Sequence, residues 1–132
     1  MPLAIPMADE PLGILLISGL YERAHYAFVV AAGAAASGRR TVLFATNQGC
    51  RALAQDWSGL AGAEDDAVAR ARGVAGLEEL RQAAAEFGVR RIACEAGLRL
   101  ATVAQNALGP GVEVAGIVTF LEAVRGGQIV TL

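Results

Sequence analysis

The sequence lacks lysine altogether and contains a single histidine, His25. All eleven basic residues are therefore arginines. Without lysine the chain cannot use a Schiff-base lysine, a lysine general base or the lysine of a phosphate-binding P-loop. One histidine also excludes metal sites built from several histidines. We therefore expect no metal site and no other cofactor.

Basic charge is scarce and scattered. Eleven arginines stand against thirteen acidic residues, the net charge is -2 at pH 7, and the adjacent basic pairs are Arg39-Arg40 and Arg90-Arg91. Nucleic-acid binding is disfavoured because phosphate neutralisation needs clustered positive charge. The longest uncharged stretch, from Ala24 to Gly38, is shorter than the roughly 20 residues of a membrane span. We expect neither nucleic acid nor membrane as a partner.

Cysteine is limited to Cys50 and Cys94, which are too far apart in sequence for a CxxC motif or a metal-ligand spacing. The segment from Met1 to Pro11 holds three prolines and two acidic residues, and no positive start precedes an apolar stretch. We expect reduced thiols and a cytoplasmic protein.

The length of 132 residues fits one compact domain, and a hydrophobic content of 55% supplies enough apolar surface to offset the entropy of ordering. Residues 1–12 are predicted to form a flexible tail and residues 13–132 a single domain. Short apolar runs, typical of strands buried on both faces, alternate with helical stretches. Strands are predicted over 13–18, 41–46, 91–94, 112–116 and 128–132, and helices over 21–37, 50–57, 77–87, 95–108 and 119–124. This alternation predicts a three-layer α/β/α sandwich with a mainly parallel five-stranded sheet.

Two segments leave alternatives open. Residues 58–74 could form a lid, a short helix over Ala67 to Arg72, or a long connection, and the last is favoured. The helix 21–37 is apolar around nearly its whole circumference, whereas a helix on one sheet face needs only an apolar stripe. We expect a homo-oligomer formed through this helix. The alternative is that its alanines are simply good helix formers.

In open parallel sheets, ligands bind outside the carboxyl ends of the strands, where helix N-termini converge. The predicted strand ends place Cys94 there as the candidate catalytic residue. The candidate pocket residues are Ser18, Gly19, Asn47, Gln48, Glu95 and Gly116. His25 falls in the first turn of a helix near this edge, where a lone histidine is more often a surface or interface group than a general base.

Cys94 stands where a strand meets a helix, so backbone amides should face its sulfur. The helix dipole favours the thiolate by roughly 0.3 to 1 kcal/mol. The neighbouring Glu95 opposes it by a similar amount, and Arg99, four residues beyond, can neutralise Glu95. Sequence alone leaves open whether Cys94 is reactive or an inert buried residue.

Cys50 is a second candidate thiol, at the start of the helix predicted after the second strand. If the second and third strands are neighbours, the two thiols could act as attacking and resolving partners in redox chemistry. The favoured alternative is that Cys50 is unreactive and packs as a small hydrophobic residue.

Several segments of the chain carry a resemblance to a known family. They are 73–80 (GVAGLEEL), 86–89 (EFGV), 92–98 (IACEAGL) and 111–116 (GVEVAG), together with the alanine-rich run 31–39 that leads into 41–44. With these segments the chain resembles the DsrE/DsrF-like family of small sulfur-relay proteins. The resemblance implies a parallel three-layer fold, oligomers and, in active members, a cysteine that carries sulfane sulfur as a persulfide. That cysteine corresponds to Cys94.

The leading hypothesis is therefore a sulfur-relay protein, a candidate sulfurtransferase, that holds sulfane sulfur on Cys94 and passes it to an acceptor thiol. Its partners would be sulfur donor and acceptor proteins. The alternative is a non-enzymatic oligomeric binding module that holds a small anionic ligand or a partner peptide in the same crevice.

Overall fold

A computed structural model describes residues 10–132 of the chain. Most of the predicted tail, residues 1–9, lies outside the described residues. Leu12 already belongs to the first strand, and Pro11 before it is buried.

The sheet has five strands in the order β4-β3-β2-β1-β5, and every pairing between neighbours is parallel. Two of the three central strands are almost entirely apolar because both of their faces are covered, whereas the third begins with two arginines. The strands span Leu12–Leu16 (β1), Thr41–Ala45 (β2), Arg90–Cys94 (β3), Glu113–Ala115 (β4) and Gln128–Thr131 (β5).

Helices cover both faces of the sheet, with a larger hydrophobic core on one face than on the other. Their bounds are Tyr21–Ala36 (α1), Asp65–Ala71 (α2), Leu77–Glu86 (α3), Glu95–Ala101 (α4) and Ile117–Ala123 (α5). The larger core, which includes Ile14 and Leu43, joins α1 and α3 to one face. On the other face, Phe120 of α5 stacks on Phe44 of β2 with ring centroids 5.0 Å apart. The predicted α/β fold with a mainly parallel five-stranded sheet is confirmed.

Two predicted helices are shorter or of another type. Residues Asn47–Leu53 form a 3-10 helix in place of the α-helix predicted over 50–57. Its first residue, Asn47, has a left-handed backbone conformation with φ 52°. Gly49 lies directly on the backbone of Leu16, where a Cβ would clash. The helix predicted over 95–108 ends at Ala101, since Thr102 takes a left-handed conformation and terminates it.

The segment 58–74 is not the long connection that the sequence favoured. It contains part of a 3-10 helix, Trp57–Gly59, followed by α2. The carboxylate of Asp66 fixes α2 to the domain by accepting hydrogen bonds from the Tyr21 hydroxyl (2.6 Å) and the Leu77 amide (2.7 Å). It also pairs with Arg70 at 3.0 Å. Asp66 is therefore a buried anchor within the acidic run Glu64 to Asp66.

The first helix buries much of its apolar surface within the chain. Tyr21, Ala24, Ala27, Phe28, Ala31 and Ala32 are all buried. Tyr26 stays exposed, with 58% of its surface open. Within residues 10–132, no helix combines the length and the hydrophobicity needed to cross a lipid bilayer.

Candidate functional site

Cys94 is the last residue of β3 and the N-cap of α4. Its Sγ accepts a hydrogen bond from the backbone amide of Gly97 at 3.4 Å. The strand therefore ends with a sulfur atom placed at the amide end of a helix, as the predicted strand end implied. An amide at this position favours a negative charge on sulfur.

The sulfur is more enclosed than the sequence led us to expect. Only 9% of the surface of Cys94 is exposed. Side chains alternate between the two faces of a strand, so Cys94 shares a face with Ile92 two residues earlier. This face is covered by Phe120 of α5 and by Val124, which follows the helix. The side chain of Cys94 therefore packs into the smaller core, with little of its surface at the rim.

Gly97 permits a very close approach between two elements of the site. A Cβ at this position would lie 2.5 Å from both the backbone nitrogen of Asn47 and Oγ1 of Thr46. The first turn of α4 thus rests directly on the backbone that follows β2. This contact brings Asn47 to the edge at which Cys94 lies.

Cys50, in the 3-10 helix that follows β2, is close enough to Cys94 for the two residues to interact electrostatically, but it packs in the larger core. The Cys50 side chain is fully buried, and its thiol donates to the carbonyl of Ala45 at 3.5 Å. Burial raises the pKa of Cys50 to about 11, and the nearby Cys94 adds to this shift, while hydrogen bonds with the backbone of Cys94 and of Cys50 itself oppose it. Cys50 therefore stays a neutral thiol near pH 7. Both cysteines are free.

Gly19 and Gln48 meet at a cleft of about 260 Å³ next to this edge. The two are in tight contact, since a Cβ on Gly19 would lie 2.6 Å from Cβ of Gln48. Arg51 lines the same cleft and donates to Oε1 of Gln48 and to the carbonyl of Ala101, each at 2.8 Å. Sequence reasoning gave Arg51 no role beyond its position beside Cys50. The residues that line this cleft do not include Cys94.

The remaining predicted pocket residues serve local structure. Ser18 Oγ accepts from the Leu20 amide at 3.1 Å and shapes the turn before α1. Glu95 is exposed and pairs with Arg99 at 3.4 Å, as predicted. Gly116 is the N-cap of α5.

Nε2 of His25 lies 2.8 Å from the carbonyl of Ala75, so the ring ties α1 to the segment before α3. Across residues 10–132, no group of three or more histidine, cysteine, aspartate or glutamate side chains is arranged to hold a metal ion.

The fold and the site together define a class: a small α/β protein with a parallel five-stranded sheet and a cysteine at the end of a central strand. A solved structure of this architecture is that of the YchN protein from E. coli, which has the DsrE/DsrF-like fold. The TM-score is 0.71 at 13% identity, over 93% of this chain and 99% of YchN. Likeness at this identity shows the fold alone. No family model matches the chain, and no curated protein matches it by sequence.

Proposed function

We propose that this protein is a sulfur carrier that holds sulfane sulfur as a persulfide on Cys94 and passes it to an acceptor thiol. The observation that carries the proposal is the hydrogen bond of 3.4 Å from the Gly97 amide to Cys94 Sγ at the start of α4. The DsrE/DsrF-like architecture supports it at the level of the fold.

The transfer needs no oxidant and no cofactor. The Cys94 thiolate attacks the outer sulfur of a donor persulfide, so a sulfur-sulfur bond forms on Cys94 while the bond in the donor breaks and the donor leaves as a thiolate. An acceptor thiolate then attacks the outer sulfur on Cys94 and releases the Cys94 thiolate again. Each step conserves the oxidation state of the sulfur that moves.

The charges near the sulfur suit a thiolate or persulfide anion. Glu95 follows Cys94 directly and would repel the anion, but Arg99 pairs with Glu95 at the surface. The amide of Gly97 still donates its hydrogen bond to the sulfur. Cys50 contributes a neutral thiol, since its pKa of about 11 keeps it protonated. Cys94 is therefore the nucleophile in this proposal, and Cys50 is a neighbour without a sulfur-carrying role.

Intact mass measurement after incubation with inorganic polysulfide tests the proposal. The wild-type chain should gain about 32 Da per sulfur, and dithiothreitol should remove the added mass. Cys94→Ser should gain nothing, whereas Cys50→Ser, the matched control, should gain as much as the wild type. A wild-type chain without the adduct, or a Cys94→Ser chain with it, would refute the assignment.

The enclosure of Cys94 favours a second candidate, a binding module in which this side chain only packs. With 9% of its surface exposed and Phe120 in the same cluster, Cys94 has the surroundings of a structural cysteine. In this case Cys94 would react with iodoacetamide at pH 7 far more slowly than in the denatured chain. Cys94→Ala would then keep any ligand-induced thermal stabilisation.

We also propose that the chain forms a homo-oligomer through the helix 21–37. Since α1 buries most of its alanines within the chain, the surface left for a second copy centres on Tyr26. Sedimentation velocity should show a mass above that of one chain, and Tyr26→Glu should reduce it. Val118→Glu is the comparison, because Val118 is 65% exposed on α5, on the other face of the sheet. A wild-type monomer, or loss of assembly in Val118→Glu alone, would contradict this interface.

A further inference from the structure

Two arginines of different elements meet at a small cleft on the face of the sheet that carries α1 and α3. Arg81 comes from α3 and Arg91 from β3, and the turn at Gly109 and Pro110 closes the far side. The cleft has a volume of about 120 Å³. Like charges rarely share a partly enclosed space unless an anion offsets their repulsion.

Arg81 is a largely buried cation whose direct hydrogen bonds go to backbone carbonyls. Its side chain is 13% exposed, and Nη1 donates to the carbonyls of Ala52 (3.2 Å) and Ala54 (2.6 Å). Burial lowers the pKa of Arg81, Glu78 opposes this shift, and the positive charge of Arg91 adds to it. Within the described chain, Nη2 of Arg81 has no hydrogen-bond acceptor, and it lies toward Gly109.

The available negative charge at the cleft is small. Glu78 lies 3.8 Å from Nε of Arg81, longer than a direct hydrogen bond, and its Oε1 also accepts from the indole of Trp57 at 3.1 Å. One shared carboxylate therefore faces two guanidinium groups. The lining carries a net positive charge of about one unit, by the side-chain charges of these three residues.

Arg91 has no acidic partner among residues 10–132. It donates to the carbonyls of Val89 (3.3 Å) and Pro110 (3.4 Å), both long contacts. Its Nη2 points to Gly111, where a Cβ would come within 2.6 Å. The preceding residue, Arg90, shows the contrast: it forms a bidentate pair with Glu113 at 2.7 and 2.9 Å.

We propose that this cleft binds a small tetrahedral oxyanion, such as phosphate, sulfate or the terminal phosphate of a phosphomonoester. Guanidinium groups recognise such oxygens through paired N–H donors, and Nη2 of Arg81 and of Arg91 has no hydrogen-bond acceptor among residues 10–132. A volume of about 120 Å³ is well above the roughly 10 to 15 Å³ that a cavity needs to hold one water, and it leaves room for the five heavy atoms of phosphate. The side chain of Gln82 lines the same cleft and supplies a further amide donor.

The oxyanion cleft is separate from the Cys94 site. Arg91 and Cys94 are three residues apart on β3, so their Cα atoms are about 10 Å apart and their side chains lie on opposite faces of the sheet. The oxyanion proposal therefore does not depend on the proposed sulfur transfer.

Isothermal titration calorimetry at constant ionic strength tests the site, with sodium phosphate, sodium sulfate and phenyl phosphate as probes. Wild-type protein should bind phosphate saturably at one site per chain. Arg91→Met should weaken binding roughly tenfold to a hundredfold, since it removes charged hydrogen-bond donors. Arg90→Met, the matched control with the same change of net charge, should bind like the wild type. Phenyl phosphate binding as tightly as phosphate would identify a phosphomonoester headgroup, and its exclusion would identify a free anion.

Arg91→Lys keeps the positive charge and serves as a second test variant in case Arg91→Met does not fold. It should show native circular dichroism and weaker phosphate binding, because a lysine cannot donate the paired bonds. The proposal fails if the wild type binds none of the probes. It also fails if Arg90→Met weakens binding as much as Arg91→Met, since the effect would then be one of net charge.

Discussion

Cys50 lies near Cys94, and burial together with this neighbour raises the pKa of the Cys50 thiol. The two residues are chemically unequal. Cys50 is sealed in the larger core with a raised pKa, while Cys94 caps a helix and receives the amide of Gly97. Because of this difference, we assign the proposed sulfur chemistry to Cys94, and the reactivities of the two thiols can be compared by experiment.

Alkylation should distinguish the two thiols. At pH 8 a thiol with a pKa of about 11 is about one part in a thousand thiolate, so native Cys50 should not react with iodoacetamide during the reaction of Cys94. Intact mass should show one modification in the native chain and two in the denatured chain, with peptide mapping to Cys94 in the first case. Prior modification of Cys50 in the native protein would contradict the assignment.

Replacing Gly97 by alanine should separate α4 from the loop after β2. The new Cβ would lie 2.5 Å from backbone nitrogen of Asn47, and a backbone atom cannot move aside cheaply. We expect a loss of about 1 to 3 kcal/mol in the free energy of unfolding and slower alkylation of Cys94. The matched control is Gly33→Ala in α1, where nothing lies within 4 Å. It should stabilise the protein by up to about 1 kcal/mol. Urea unfolding measures both, and equal effects would rule out the close contact.

Asp66 should be the main electrostatic anchor of α2. Asp66→Ala leaves the Tyr21 hydroxyl and the Leu77 amide without their acceptor, so we expect a loss of about 3 kcal/mol in the free energy of unfolding. Asp65→Ala is the matched control, since Asp65 is exposed at the same helix end. Its effect should stay below about 1 kcal/mol. Thermal unfolding that ranks the two variants in the opposite order would contradict this role.

Acid should weaken the same anchor. Burial alone would raise the pKa of Asp66, but hydrogen bonds from Tyr21, Leu77 and Arg70 outweigh burial and hold this pKa below its ordinary value. The carboxylate therefore contributes stability above its unfolded pKa of about 3.9, and this contribution is lost as the pH falls through the lower folded value. The difference in stability between the wild type and Asp66→Asn should shrink below about pH 4. A difference independent of pH would show that the charge of Asp66 plays no part.

Phe120 should control access to Cys94. Phe120→Ala removes a fully buried ring that stacks on Phe44 and shares a cluster with Cys94. We expect a loss of about 3 to 5 kcal/mol in stability and faster alkylation of Cys94 under native conditions. Leu121→Ala, at a side chain 48% exposed on the same helix, should change neither quantity much. If Cys94 reacts no faster in the folded Phe120→Ala variant, access does not run past this ring.

Parts of the fold were predictable because their signals are local. The runs around Ile14 and Leu43 are almost entirely apolar, and a strand buried on both faces requires that pattern whatever surrounds it. The position of Cys94 at a strand end follows from the shorter apolar run that begins at Ile92. The helix predicted beyond Ala101 was wrong because Thr102 enters a left-handed conformation, for which threonine gives no sequence signal.

By itself, the sequence determined the alternation of strands and helices, the parallel sheet and the cysteine at the end of β3, because each depends on neighbours along the chain. Tertiary structure alone decided how exposed that sulfur is, since α5 returns across the opposite face to cover it. It also decided the burial of Asp66 and the meeting of Arg81 with Arg91. Burial and charge pairing arise between elements distant in sequence, so no local pattern of residues encodes them.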